Sequence, residues 1–308
     1  MAAPVIDALR DGVTALLALP RGDQPAAVRA LRSALPAPAD EPWNTAFGPD
    51  SLYAAFARSS VARGAHAANR AVLGPILDRP FVVVDVGGGS GAVWDGLLRP
   101  DHVGEIVVVD PHPDGAAGVR RHAPRGVTVR HLHTPVEAAV LPDADAIVAS
   151  LVLHHVAGGD AADRARVGLS GPGKREVLAS FRDAVRTRGG TVIVNEADVY
   201  CDLGLAPGDP LLAERLVDSY VRRFAVSLLH DLATRDEPDD VRVRWAAIVR
   251  DWALGQIAVA DAAWADRDVY ERDVVSWLAL FAEAGLAVRS RQATDRWMLF
   301  HQYVLDGG

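Results

Sequence analysis

The chain has 308 residues, half of them hydrophobic, and a formal net charge of −8. This length is enough for a large core, in one elaborated domain or in a domain with a helical attachment. The acidic balance opposes an obligatory nucleic-acid partner, because phosphate contacts need a basic face, and the single cysteine, Cys201, excludes an internal disulfide and a CxxC zinc site.

The N-terminal region predicts helices. Residues 4 to 35 have the pattern of two short helices, each opened by a proline, Pro4 and Pro25. A proline-rich connector follows, and an N-cap at Asp50 or Ser51 predicts a longer helix whose apolar face continues to Leu73. Acidic side chains interrupt the first apolar run, so we expect neither a signal peptide nor a membrane-spanning segment. We assign residues 1–78 to an N-terminal helical cap.

From Phe81 the sequence changes to short β-branched runs: FVVVDV, EIVVVD, VTVRHL, DAIVASL and GTVIVNEA. Strands that are hydrophobic throughout are expected where helices cover both faces of a sheet. The intervening segments SGAVWDGLL and KREVLASFRDAV predict helices. Residues 79–205 therefore predict an α/β core with a doubly wound, mostly parallel sheet.

Two amphipathic helical patterns interrupt the alternation of strands and helices: PLLAERLVDSYVRRFAVSLLHDL and VRVRWAAIVRDWALGQIAV. We interpret residues 206–265 as a helical lid insertion. Residues 266–308 predict a last helix that ends at Gly285, followed by two strands joined by a tight turn. This hairpin is expected to complete the core.

The glycine loop VVVDVGGGSG is compatible with two kinds of cofactor. Gly87, Gly89 and Gly91 form GxGxG, whereas Gly87, Gly89 and Ala92 satisfy the dinucleotide pattern GxGxxG/A. Asp110 follows Gly89 at the distance expected of a ribose-binding acid. Both patterns place a tight turn and a helix N-terminus against a ligand, so the loop alone leaves the ligand open.

Three further features separate the two alternatives. Asp85 would repel a dinucleotide phosphate but attract an ammonium group. The chain ends in a helix and a hairpin, and its middle contains DADAIVASLVLHHV and VRTRGGTVIVNEAD. On these segments, over roughly residues 81 to 200 and 268 to 305, the sequence resembles the class I S-adenosylmethionine-dependent methyltransferases.

The resemblance implies a seven-stranded Rossmann-like sheet with S-adenosylmethionine as cofactor and S-adenosylhomocysteine as product. It places Asp85 near the amino-acid end of the cofactor, Asp110 on both ribose hydroxyls, and Thr134 or Glu137 on the adenine side. Ser150 and Leu151 would lie beside the sulfonium. The residues assigned to the cofactor are Asp85, Gly87, Gly88, Gly89, Gly91, Asp110, Pro111, Thr134, Ser150 and Leu151.

His154 and His155 are the candidate catalytic residues. His154 aligns with the histidine of the LHDW-like segment in small-molecule O-methyltransferases, where that histidine is the general base; a histidine titrating near neutrality suits this role. A structural role behind the strand is the alternative for both, and it is the stronger interpretation for His155. Asn195 and Glu196 would supply only half of a metal site, so we expect no metal.

The substrate pocket is expected to draw on aromatic residues of the cap and the insertion, although aromatics at helical spacing also form ordinary core. The residues assigned to it are Tyr53, Phe56, Glu196, Tyr220 and Phe224. Arg222 and Arg223 face either a substrate carboxylate or solvent.

These features predict a cytoplasmic methyltransferase that acts on a small molecule of specialised, natural-product metabolism, at oxygen or nitrogen rather than carbon. No nucleic-acid or membrane partner is expected, and a homodimer is left open. Three alternatives remain: an NAD(P)-dependent oxidoreductase, an S-adenosylmethionine-binding enzyme that catalyses another reaction such as a cyclisation, and a binding protein with a vestigial site.

Overall fold

A computed structural model describes residues 2–34, 56–57, 59–156, 171–198, 221–258 and 274–308. The chain divides into two compact units. The helical unit comprises Met1–Arg63 and Gly208–Ala262, and the α/β unit comprises Gly64–Pro207 and Ala263–Gly308. The described helices are α1 (Ala2–Leu17), α2 (Gln24–Ala34), α3 (Ser60–Leu77), α4 (Ala117–His122), α5 (Pro172–Arg186), α6 (Arg222–Thr234), α7 (Asp239–Ala258) and α8 (Val274–Glu283).

The α/β unit is built on a seven-stranded sheet in the order β3-β2-β1-β4-β5-β7-β6. The strands are β1 (Phe81–Val86), β2 (Gly104–Val109), β3 (Val127–Leu132), β4 (Ala146–Ser150), β5 (Thr191–Ala197), β6 (Ala287–Ala293) and β7 (Phe300–Asp306). The first five are parallel to one another, and β7 is antiparallel to both β5 and β6. The predicted doubly wound sheet with an antiparallel C-terminal hairpin is confirmed.

Apolar clusters cover both faces of the sheet, which explains why its parallel strands are hydrophobic throughout. On one face Val83 packs in a cluster with Leu73 and Leu77 of α3. On the other face Val84 belongs to a cluster with Phe181 of α5. Since successive strand side chains point to opposite faces, each strand anchors helices on both sides. The carboxyl ends of β1, β2, β4 and β5 therefore meet at one edge of a rigid layer.

The segment after the glycine loop is not the predicted helix. Residues 92–97 of SGAVWDGLL form consecutive turns, with Gly91 and Gly96 at φ angles of 72° and 67°. Trp94 is fully buried, and its indole N–H donates to the Asp85 carboxylate at 2.7 Å. The left-handed Gly96 within this segment interrupts a regular right-handed helix. The expected helix N-terminus is thus absent from this side of the loop.

The hairpin connection also differs from the predicted tight turn, because residues 294–299 separate β6 from β7. The Asp295 carboxylate organises this loop by accepting backbone N–H groups of Trp297, Leu299 and Phe300. Gly285, at φ 75°, follows α8 as predicted and has the left-handed conformation typical of a helix C-terminus.

In the helical unit, α1 packs against α6 and α7, and α7 packs against α2. Ile6 and Leu16 are buried on α1. The two N-terminal helices were predicted with these approximate bounds, whereas the predicted start of the longer helix at Asp50 or Ser51 lies outside the described residues. Among the described helices, none combines the length and apolar character needed to cross a bilayer.

Candidate functional site

The glycine loop uses left-handed backbone to pack protein segments closely. Gly87, Gly89 and Gly91 have φ angles of 70°, 50° and 72°. A Cβ on Gly87 would lie 2.5 Å from a methyl group of Val152, and one on Gly91 would lie 2.4 Å from the backbone carbon of Gly118. The loop is therefore held between the turn after β4 and the first turn of α4. The packing of Gly118 against the loop was not predicted, although a second glycine in the segment GAAG could have indicated a close backbone approach.

Gly88 and Asp85 tie the loop to the sheet. A Cβ on Gly88 would lie 2.9 Å from a methyl group of Val108. Asp85, at the end of β1, is 4% exposed. Burial raises the pKa of its carboxyl from 3.8 to about 6, the Trp94 hydrogen bond opposes this shift, and the charge of Asp110 adds to it. Asp85 thus lies buried near the end of β1, with the Trp94 indole N–H donating to one of its oxygens.

Asp110 follows β2, and a tight loop surrounds its carboxylate. Its Oδ1 accepts the backbone N–H of His112 at 2.7 Å. A Cβ on Gly115 would lie 2.4 Å from Asp110 Cγ, so only glycine fits there. Pro111 is exposed, and its carbonyl oxygen lies 2.7 Å from Nε2 of His133. Glycine at position 115 is a second feature that the sequence reasoning missed, although DPHPDG is a turn-like segment.

The two candidates for the adenine side lie after β3. Thr134 is half-buried, and its backbone N–H donates to Leu132 at 2.9 Å. Glu137 is exposed in a single turn of 3-10 helix, Val136–Ala138. Neither side chain makes a described hydrogen bond that would distinguish the two.

Ser150 and Leu151, at the end of β4, are fixed by a buried amide network. Asn69 and Asn195 both donate to Ser150 Oγ, at 3.1 and 3.0 Å. Asn69 Oδ1 in turn accepts from Asn195 at 2.7 Å and from Gln302 at 2.8 Å. Leu151 has φ 56° and donates its N–H to the Asn195 carbonyl at 2.8 Å. The network joins α3, β4, β5 and β7, and no local sequence signal predicted it.

His154 and Glu196 form a hydrogen-bonded pair. Glu196, 1% exposed at the end of β5, accepts from His154 Nδ1 at 2.8 Å through Oε2. Its Oε1 accepts the backbone N–H groups of Val152 and Leu153 at 3.1 and 2.8 Å. Glu196 therefore holds the turn after β4 and orients the histidine ring. Both residues are candidates from the sequence, whereas their pairing has no local sequence signal.

His155 is exposed, with its ring centroid 4.2 Å from that of His154. Within the described parts of the chain, no group of three histidine, cysteine, aspartate or glutamate residues could hold a metal ion.

The aromatic residues assigned to the substrate pocket fall in the helical unit or outside the described residues. Phe56 and Phe224 are buried with ring centroids 5.6 Å apart, and Phe224 lies 4.7 Å from Trp252. Tyr53 and Tyr220 are not among the described residues. Arg222 donates to the Leu17 carbonyl at 3.0 Å, so this arginine caps the end of α1.

Comparisons with known proteins give one family match and several structural likenesses. Residues 84–167 match a family model described as a methyltransferase domain. No curated protein matches the sequence. The CurJ carbon methyltransferase aligns with a TM-score of 0.51 and 14% identity, over 97% of this chain and 67% of that one.

Two further solved structures align less closely. An O-methyltransferase family 2 protein from Planctomyces limnophilus has a TM-score of 0.46 and 14% identity, over 92% of this chain and 67% of that chain. The N-methyltransferase NodS from Bradyrhizobium japonicum has a TM-score of 0.44 and 12% identity, over 81% of this chain and 98% of that chain.

The residues at the carboxyl edge fit S-adenosylmethionine. Buried carboxylates end β1 and β2 on either side of a glycine cradle, and Asn195 Oδ1 is a buried acceptor with no partner among the described residues. A sulfonium amino acid joined to a ribose offers donors to such acceptors. Residues 84–167 thus match a methyltransferase domain, and the sheet order and this cradle are compatible with S-adenosylmethionine as its cofactor.

Proposed function

We propose that the chain methylates an oxygen or nitrogen atom of a small, specialised metabolite, with His154 as the general base. The observation that carries the proposal is the hydrogen bond of 2.8 Å between His154 Nδ1 and the buried Glu196 carboxylate. A carboxylate on one ring nitrogen fixes the orientation and tautomer of an imidazole. The net charge of −8 supports a small-molecule substrate over a nucleic acid.

The cofactor would be held by the residues at the ends of β1, β2 and β4. We assign Asp110 to the ribose hydroxyls, Asp85 to the ammonium group, and the loop from Gly87 to Gly91 to close backbone contact. Ser150 and Leu151 would border the reacting methyl group. Bound S-adenosylmethionine supplies an electrophilic methyl group on its sulfonium.

His154 would remove the proton from the acceptor atom. With Nδ1–H donated to Glu196, the neutral ring carries its lone pair on Nε2, and this nitrogen receives the proton. Glu196 then stabilises the imidazolium that forms, because its negative charge is held close to Nδ1. Positioning the acceptor in line with the methyl group is the other contribution expected of the protein.

The test is single-turnover transfer of labelled methyl from S-adenosylmethionine to a panel of phenols, carboxylic acids and amines. We expect an acceptor in this panel to be methylated. His154→Gln should slow transfer by about 100-fold or more, since general base catalysis contributes about 100- to 10,000-fold. The matched control is His122→Gln, because His122 lies on α4 and is paired with Asp95 at 3.7 Å.

A full rate in His154→Gln across the pH range would remove His154 from the chemistry and leave the methyltransferase assignment intact. Oxidation or reduction of a nicotinamide cofactor, with no methyl transfer, would contradict the proposed reaction itself.

A further inference from the structure

Two histidine rings at the carboxyl end of β3 contact the loop that follows β2. Nε2 of His131 lies 3.0 Å from the carbonyl oxygen of Asp110, and Nε2 of His133 lies 2.7 Å from that of Pro111. A carbonyl oxygen can only accept a hydrogen bond, so each ring carries a proton on Nε2 and donates it. The backbone of two consecutive loop residues is therefore held by side chains from the neighbouring strand.

The alternation of β3 places both rings on one face of the sheet. In the segment VTVRHLH, residues 127 and 129 are valines and residues 131 and 133 are histidines. Successive side chains of a strand point to opposite faces, so these four residues share one face. The valines pack in the apolar cluster that contains Val119 of α4, whereas the two imidazole centroids lie 5.5 Å apart at the end of the strand. Imidazole thus replaces valine where the face reaches the loop after β2.

The carbonyl held by His131 belongs to the residue assigned to the ribose hydroxyls. The backbone N–H of Asp110 donates to the carbonyl of Leu132 at 3.2 Å, so β3 holds this residue through its N–H and its C=O. The carboxylate oxygen Oδ1 of Asp110 accepts the backbone N–H of His112 at 2.7 Å. Among the described residues, no protein group donates to Oδ2. The loop is thus fixed at its backbone, and one carboxylate oxygen is left without a protein donor.

We propose that His131 and His133 are positioning residues that fix the Asp110 carboxylate for the ribose of the cofactor, an assignment that rests on the proposed cofactor site. Without the two ring donors, the carbonyls of Asp110 and Pro111 would turn toward water, and the loop would have to be ordered when the ligand binds. Ordering a mobile segment on binding reduces affinity, so a loop that is already held binds more tightly. Neither ring needs to touch the cofactor for this effect.

The test is calorimetric titration of the full chain with S-adenosylhomocysteine. We expect His131→Leu and His133→Leu each to weaken binding by about 2- to 10-fold, the range of one neutral hydrogen bond. His131→Gln and His133→Gln should bind within about twofold of the wild type. The glutamine amide nitrogen is as many bonds from the backbone as Nε2 of histidine, so it can donate in its place. Since His133 is exposed, its variants decide the question if His131→Leu does not fold.

A double-mutant cycle with Asp110→Ala distinguishes positioning of the carboxylate from a general structural role. If the histidines act through the Asp110 carboxylate, their effect on affinity disappears once that carboxylate is removed. We therefore expect His131→Leu and His133→Leu to change the affinity of the Asp110→Ala chain by less than about twofold.

Arg130→Leu is the matched control. Arg130 lies on β3 next to His131 but on the opposite face, and it pairs with Glu105 near the start of β2 at 2.7 Å. It therefore connects the same two strands at a distance from the Asp110 loop. We expect this variant to bind S-adenosylhomocysteine like the wild type.

The outcomes separate this assignment from the proposed function. Wild-type affinity in both leucine variants would mean that the ring contacts do not position the carboxylate. Equal losses with and without the Asp110 side chain would mean that the rings act on the ligand directly, and equal losses in the leucine and glutamine variants would mean that the ring donors are not what matters. Each of these results overturns the assignment. A wild-type chain that binds no S-adenosylhomocysteine would overturn the cofactor site itself.

Discussion

The buried carboxyl group of Asp85 has a cost in stability at neutral pH. Burial raises its pKa from 3.8 to about 6, so the folded chain binds this proton more tightly than the unfolded chain does. Stability from this group is therefore greatest below the unfolded pKa and falls as pH rises from 3.8 to about 6. The buried charge of Asp85 destabilises the fold at neutral pH.

Asp85→Asn should relieve this penalty. The asparagine oxygen can still accept the Trp94 indole hydrogen bond, and no charge is buried. We expect its free energy of unfolding to exceed that of the wild type by up to about 3 kcal/mol at about pH 8, with the difference vanishing near pH 4. Urea denaturation at the two pH values measures it, with Asp143→Asn, an exposed site, as control. A pH-independent difference would contradict the shifted pKa.

The Glu196 carboxylate connects the proposed general base to the local backbone, because it accepts the His154 ring N–H and two backbone N–H groups. Glu196→Gln keeps an acceptor for the backbone groups but turns an amide donor or a neutral oxygen toward His154. We expect the methyl-transfer rate to fall by about 10- to 100-fold, the usual effect of losing an orienting carboxylate. Single-turnover kinetics measure this effect. A rate equal to that of the wild type would show that Glu196 has only a structural role.

At the scale of elements, alanine substitutions at Gly91 and Gly96 can be compared, because the two glycines have nearly the same backbone conformation. Gly91 and Gly96 have φ angles of 72° and 67°, but a Cβ would clash with Gly118 only at Gly91. We expect Gly96→Ala to cost about 1–2 kcal/mol of stability from left-handed strain alone. Gly91→Ala should cost about 1–3 kcal/mol more and weaken S-adenosylhomocysteine binding.

Chemical denaturation and calorimetry on both variants measure these effects. Equal costs for the two substitutions would mean that the loop and α4 can move apart, contrary to the packing of Gly91 on Gly118.

The strands and most helices were predictable from local patterns, whereas the contacts of the site were not. β-branched runs identified the five parallel strands, and Gly285 marked the end of α8. SGAVWDGLL has the composition of a helix, and the contact that bends Trp94 inward comes from Asp85, which lies in the preceding strand. The pairing of His154 with Glu196 spans two strands and leaves no periodic signal. Such contacts depend on which strands are neighbours, and a single sequence does not encode that locally.

At the scale of the whole molecule, both units are assembled from segments distant in sequence. The helical unit joins residues 1–63 to 208–262, so the contacts of α1 with α6 and α7 span the sequence of the first five strands. The sheet in turn is completed by β6 and β7 from the C-terminal segment. Long sequence separations of this kind slow folding, because loop closure must precede the contacts that stabilise it.

The buried face of α1 should therefore contribute strongly to the stability of the helical unit. Ile6 is fully buried, whereas its neighbour Val5 is 47% exposed. We expect Ile6→Ala to lower the free energy of unfolding by about 2–5 kcal/mol, and Val5→Ala to change it by less than about 0.5 kcal/mol. Denaturation followed by circular dichroism distinguishes them, and equal effects would contradict the packing of α1.

The most direct test of the central claim is calorimetric titration of the full chain with S-adenosylhomocysteine, beside NAD and NADP. We predict micromolar binding of S-adenosylhomocysteine alone, weakened by about 1–3 kcal/mol in Asp110→Ala through loss of the ribose hydrogen bonds. Binding of a nicotinamide cofactor instead, or an affinity for S-adenosylhomocysteine that Asp110→Ala leaves unchanged, would contradict the cofactor site described above.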